Sequence, residues 1–185
     1  MTSAIAGGLI DVHAHVVLEA TLGTAGVLGP AIEQDEHGGP VFRVADWRLE
    51  GVDYRGTPFM DAALRIARMD EVGIGHQALT PNPLTWFHHV PAEAAVRYCE
   101  AHNAALAEHV AVAPDRLSGL AQLPAQDPAA AARELERLVR QLGLRGGAMG
   151  TDPGRPLDDR SLAPIWSAAE RLDVPIFLHP APGGI

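Results

Sequence analysis

Hydrophobic and polar positions follow two periods along this chain, and the switches between them mark the elements. Leu9-Ile10-Asp11-Val12-His13-Ala14-His15 reads as a short strand ending in two histidines. Side chains on a strand alternate faces, so His13 and His15 project from one face with Asp11 beside them, while Val12 and Ala14 point to the other. Residues 16–57 form a long irregular stretch, rich in glycine and broken by Gly29-Pro30 and Gly38-Gly39-Pro40. A stretch of that length within a compact domain is functional or disordered. It reads as an insertion lying over the site formed by the first strand, and within it only Pro40-Val41-Phe42-Arg43-Val44 carries a strand signal.

Regular alternation then begins. Thr57-Pro58 is a cap followed by proline at the first helical position, and the helix runs to Val72 and stops at Gly73. His76 to Thr80 is the second strand, broken by Pro81 and Pro83. Pro91 opens a helix to Val112, and Leu117 to Leu123 is the third strand. Asp127-Pro128 caps a helix whose Leu135, Leu138, Val139 and Leu142 recur as one stripe facing a core. Gly146 to Gly150 is the fourth strand, Ser161 to Leu172 a helix, and Val174 to His179 the fifth strand, mostly apolar as expected where both sheet faces are covered.

The later strands end near residues 123, 150 and 179, one βα unit every ~30 residues, the spacing of a (β/α)8 barrel of about 250 residues. An open doubly wound sheet gives similar alternation. It gives no reason for histidines at the ends of the first and fifth strands. The expected fold is therefore α/β, a (β/α)8 TIM barrel of which residues 1–185 supply about the first five βα units as one domain.

Composition narrows the class. The chain has 185 residues, of which 47% are hydrophobic, enough for one domain with a sizeable core. All 14 cationic residues are arginine and the formal charge is −9, which argues against a nucleic-acid or anionic-membrane partner. An anionic substrate needs a local positive site, such as a metal or a placed arginine. Cys99, the single cysteine, excludes an intrachain disulfide and reads as a small buried hydrophobe. Met1 to Gly8 lacks the basic residues and apolar run of a signal peptide, and no segment approaches a transmembrane span. A cytoplasmic location is expected.

A bare His-x-His is either half a metal site or a pair in a polar turn. The first and fifth strands of a closed barrel face each other, and functional groups sit at the C-terminal ends of strands. His13, His15 and His179 thus converge across a narrow bore. Catalytic zinc commonly takes three protein ligands and leaves a position open for water.

Five stretches carry a family resemblance: Ile10 to His15, Arg68-Met69-Asp70-Glu71-Val72-Gly73-Ile74, Pro114 to Pro124, Gly146 to Thr151 with Pro156-Leu157-Asp158-Asp159, and Val174 to Pro180. In these the sequence resembles the amidohydrolase-related (amidohydrolase 2) family, whose members include aminocarboxymuconate-semialdehyde decarboxylase and γ-resorcylate decarboxylase. The resemblance implies a metal-dependent-hydrolase-type barrel, with Zn2+ or another divalent metal held by His13, His15 and His179. It also implies a carboxylate ligand from an eighth barrel strand and a catalytic histidine from a sixth. Both lie outside these five units, so no catalytic residue is assigned and the sequence reads as the N-terminal part of a longer enzyme. Val41-Phe42-Arg43-Val44 resembles the family hairpin whose arginine helps hold a substrate carboxylate, and Arg43 has the bidentate fork for it. Trp47, Arg48 and His89 are candidate neighbours.

The remaining candidates have plainer readings. His88 follows the second strand, as does His89, and each either contacts substrate or sits in a solvated loop. Trp86 and Phe87 wall a pocket or cover a core edge. His102 and His109 read as a helix face, Asn103 and Asp158-Asp159 as structural hydrogen-bonding groups, and His37 and His76 fit no pattern. No serine or cysteine nucleophile motif is present, and Gly143 to Gly150 lacks a phosphate-loop lysine. The expected function is non-oxidative decarboxylation of an unsaturated or aromatic carboxylic acid. Hydrolysis of an amide or lactone on the same scaffold, or an inactive incomplete fragment, are the alternatives. The expected partner is a small carboxylic-acid substrate, and the resemblance favours a homodimer.

Overall fold

The computed structural model describes residues 8–180. The chain opens with strand β1 (Leu9–Val16) and then forms a separate antiparallel sheet from β2 (Pro30–Gln34), β3 (Pro40–Val44) and β4 (Trp47–Glu50). Alternation follows: α1 (Ala62–Val72), β5 (Ile74–Pro81), α2 (Ala92–Ala111), β6 (Leu117–Gln122), α3 (Pro128–Arg140), β7 (Gly146–Gly150), α4 (Ala163–Leu172) and β8 (Ile176–His179). The main sheet has the order β1-β5-β6-β7-β8 with every pair parallel. Such a sheet needs crossover helices, and each later pair of strands has one.

All four helices pack on one face. Met69, Leu106, Leu135, Leu138, Ile165 and Ala168 share a core with Leu79, Leu117 and Ala121 of the strands. The opposite face carries Leu120, Ala148 and Phe177 with Trp86 from the β5–α2 connection. That face is concave. In a flat sheet with strands about 4.8 Å apart, β1 and β8 would lie roughly 19 Å from each other and their side chains would stand parallel. Instead Nε2 of His13 on β1 lies 2.9 Å from Nε2 of His179 on β8. The five strands form a curled half-barrel, with helices outside and these histidines inside.

Three local expectations change. The stretch after β1 is more regular than its composition suggests, because β2 and β4 pair with β3 on either side. Phe42 and Val44 anchor this sheet on Phe87, Val90 and Tyr98. The cap of α1 is Asp61, whose carboxylate accepts from Ala63 N and Leu64 N. Thr57 instead closes a preceding turn by donating to Tyr54 O at 2.6 Å. Asp11 does not share the concave face with the histidine rings, although its carboxylate accepts the His13 N–H. The β1–β5 register pairs Asp11 with Gln77 and then Ala14 with Leu79, so β1 spends one extra residue. Such a bulge breaks the two-residue alternation, and Asp11 turns toward Gln77 while His13 and His15 face inward.

Candidate metal centre

His13 and His15 end β1 and His179 ends β8, so the curl of the sheet brings together three side chains from its two edges. The Nε2 atoms of His13 and His15 are 3.1 Å apart, those of His13 and His179 2.9 Å. All three nitrogen ligands lie within 4.8 Å of one another. Nitrogens held about 2.0–2.1 Å from one ion sit roughly 3.3 Å apart in a tetrahedron and roughly 2.9 Å apart on an octahedral face. The two separations from His13 fall in that span.

Hydrogen bonds on the far side of the rings set the tautomers. Nδ1 of His15 lies 2.9 Å from the Pro81 carbonyl and 2.9 Å from Thr80 Oγ1. A carbonyl only accepts, so Nδ1 carries the proton and Nε2 turns its lone pair inward, as a metal ligand requires. Nδ1 of His179 likewise meets Pro180 O. Burial holds the His15 imidazole down at about 4, with the neighbouring His179 and His13 adding to the effect and the Pro81 bond opposing it. Ring nitrogens that converge this closely repel unless a proton or a cation lies between them, and three imidazoles on rigid strands suit a divalent ion.

The surroundings are apolar on one side. The Phe177 ring sits 5.4 Å from that of His13, and Trp86 6.0 Å from that of His179. Trp86 is buried, and its indole N–H has no partner among the described residues. Next to it, His88 accepts the Gly150 N–H at 3.1 Å through Nε2. Burial lowers the His88 pKa to about 4, against the pull of Asp152. Its ring is therefore half-buried and structural, whereas His89 beside it is exposed. Phe87, between Trp86 and His88, has φ +58. A bulky residue in that left-handed region is strained, and its burial against Tyr98 at 4.4 Å holds it there.

Arg43, Trp47 and His89 line one cleft, together with Glu33 and Asp46, but His13, His15 and His179 are not among its walls. Arg43 is already engaged: Nε donates to Glu33 Oε1 at 2.8 Å and Nη1 to Val27 O at 2.7 Å. Arg48 reaches the same carboxylate at 3.6 Å. Two other histidines lie deeper than their sequence context suggests. His76 bonds Ser118 Oγ at 2.9 Å, and His102 on α2 is buried with its pKa lowered to about 4 by that burial. Sequence reasoning missed Thr80 and Pro81 as the groups that orient His15; their place at the end of the adjacent strand was the available signal.

The family profile named Amidohydrolase matches residues 10–185. The chain belongs to the amidohydrolase family. Among relatives in that family, the γ-resorcylate decarboxylase of Rhodococcus jostii is 31% identical over 183 residues, covering 94% of this chain and 50% of that protein. The γ-resorcylate decarboxylase of Polaromonas sp. is 38% identical over 63% of this chain and 38% of its own length. The chain thus spans half or less of these relatives' lengths. A solved dihydroxybenzoic acid decarboxylase from Polaromonas sp., with bound manganese and the inhibitor 2-nitroresorcinol, matches with TM-score 0.70 and 30% identity over 95% of this chain and 50% of that one. Metarhizium anisopliae IDCase in apo form matches with TM-score 0.74 at 22% identity over 92% of this chain and 50% of that one, a likeness of fold. Among the described residues, no helix is long and apolar enough to cross a membrane.

Proposed function

We propose that this chain forms the metal-holding half of a divalent-metal-dependent, non-oxidative decarboxylase acting on an aromatic or unsaturated carboxylic acid. The observation that carries this reading is the meeting of His13, His15 and His179, with Nε2 separations of 2.9 and 3.1 Å, on the concave face of the sheet. The γ-resorcylate and dihydroxybenzoic acid decarboxylases it resembles support the reaction class. They favour decarboxylation over hydrolysis of an amide or lactone.

His13, His15 and His179 would hold the ion, Zn2+ or the Mn2+ found in the related enzyme. When bound, such an ion supplies Lewis-acid charge that orients a substrate carboxylate or a neighbouring hydroxyl and stabilises developing negative charge. Phe177 and Trp86 form an apolar wall that suits a flat ring and excludes water from one side of it. Glu33 and Val27 O fix the Arg43 guanidinium, and Arg43, Trp47 and His89 form a second polar surface for an acid group. Small carboxylic acids are the proposed partners, in a cytoplasmic enzyme that pairs as a homodimer. The net charge of −9 speaks against nucleic acid or anionic membrane.

Elemental analysis of the purified chain, with His13→Ala, His15→Ala and His179→Ala, tests the reading. The expected result is near-stoichiometric divalent metal, lost in each variant. Carbon dioxide release from a panel of hydroxybenzoic acids by the metal-loaded protein tests the reaction. A chain that takes up neither Zn2+ nor Mn2+ would overturn the assignment.

A further inference from the structure

Behind the three rings lies a buried polar circuit that no part of the reading above uses. Arg65 on α1 is 6% exposed and Gln77 on β5 8% exposed, both on the outer face of the sheet, where apolar packing is the rule. Nη2 of Arg65 donates to the His15 carbonyl at 2.7 Å, and Nη1 donates to Gln77 Oε1 at 3.0 Å. Nε2 of Gln77 donates to Asp11 Oδ2 at 2.8 Å. Oδ1 of the same carboxylate accepts the His13 N–H at 3.0 Å. The circuit therefore starts at the backbone N–H of one histidine and ends at the backbone carbonyl of the other.

The bulge accounts for one end of the circuit. An extra residue on β1 takes backbone groups between Asp11 and Ala14 out of the regular ladder. Asp11 supplies a side-chain partner for the His13 N–H inside the bulge, and Arg65 one for the His15 carbonyl just beyond it. Arg65 is costly to bury: burial lowers its pKa to about 10, offset in part by Asp11, and its Nε has no partner among the described residues. A plain hydrophobe at position 65 would fill the same face of α1. What it would not do is grip His15.

We infer that Arg65, Gln77 and Asp11 are positioning residues for the metal centre: they clamp the His13-Ala14-His15 tripeptide at both ends, in the bulged geometry that turns both rings inward. The inference rests on the metal reading above. Removing groups of this kind from behind a metal's ligands typically costs 10–100-fold in metal affinity.

The test is isothermal titration of Mn2+ into the wild-type chain and into Arg65→Met, Arg65→Lys, Gln77→Leu and His13→Ala, with circular dichroism to verify folding. Arg65→Met and Gln77→Leu are expected to bind Mn2+ roughly 10–100-fold more weakly. Arg65→Lys retains the charge but not the fork, and is expected to recover only part of the loss. If Arg65→Met does not fold, Gln77→Leu decides, since it leaves the bond from Arg65 to His15 in place. Folded variants with wild-type Mn2+ affinity, even if their metal-free melting temperature falls, would reduce the circuit to a stability element and overturn the inference. Wild type that binds no Mn2+, or His13→Ala that binds it equally well, would instead overturn the metal centre itself.

Discussion

At the scale of single residues, the site depends on where small or neutral groups sit. A Cβ on Gly150 would lie 2.7 Å from Nε2 of His88 and 3.3 Å from Cδ1 of Trp86. Gly150→Ala is expected to cost about 1–3 kcal/mol in urea unfolding and to weaken metal binding, because Gly150 pairs with His179 across β7 and β8. His102 gives a prediction in pH. Its folded pKa is lowered to about 4 by burial, so below about pH 6.5 the unfolded chain binds a proton that the folded one refuses. Its contribution is present in full above pH 6.5 and is lost as pH falls toward 4, on the order of 3 kcal/mol in total. Urea unfolding across pH 4–7 should show that slope, flattened in His102→Gln. At this scale the three histidines were legible, because strand alternation and the βα spacing both place them. Asp11 was not, since a bulge leaves no mark in composition. Arg65 was not either, since a charged helix residue reads as solvent-facing until its acceptors on the sheet are known.

At the scale of elements, burial and capping decide the helices. Leu135 and Leu138 of α3 are fully buried in the main core, so either leucine changed to alanine is expected to cost about 2–5 kcal/mol. Asp61→Ala removes the carboxylate that caps α1 and is expected to cost about 1 kcal/mol, measurable by the same unfolding curves. The sequence pointed to Thr57-Pro58 for that cap, since threonine before proline is the stronger local signal. Four residues later Asp61 accepts two helix N–H groups, and the turn at Thr57 is used to enter the helix. Pro30–Gln34 shows little alternation by itself, and Trp47–Glu50 alternates apolar and polar over only four residues. They become strands because β3, rich in β-branched and aromatic residues, gives them a template. The strands and helices from β5 onward were readable because proline, glycine and aspartate punctuate them within a residue or two of their bounds.

At the scale of the whole molecule, alternation made the five-stranded sheet readable as a repeating unit, and the histidines ending the first and fifth strands made its curl readable, since alternation alone also fits an open sheet. The curl is expressed in the histidines, and it has a topological consequence. His13 and His179 are 166 positions apart in the chain. An ion gripping both would be a reversible clasp around the long stretch between them. The entropy of closing so long a loop grows only slowly with its length, yet contacts that distant in sequence are among the last to form when a chain folds. A contact absent from the transition state leaves the folding rate alone and retards unfolding. Stopped-flow refolding and unfolding with and without Mn2+ should therefore show an ion that scarcely hastens folding but slows unfolding in proportion to its occupancy. In that case the feature that readies the protein for chemistry also acts as its latch, and drawing off the ion with a chelator would shorten the lifetime of the folded state.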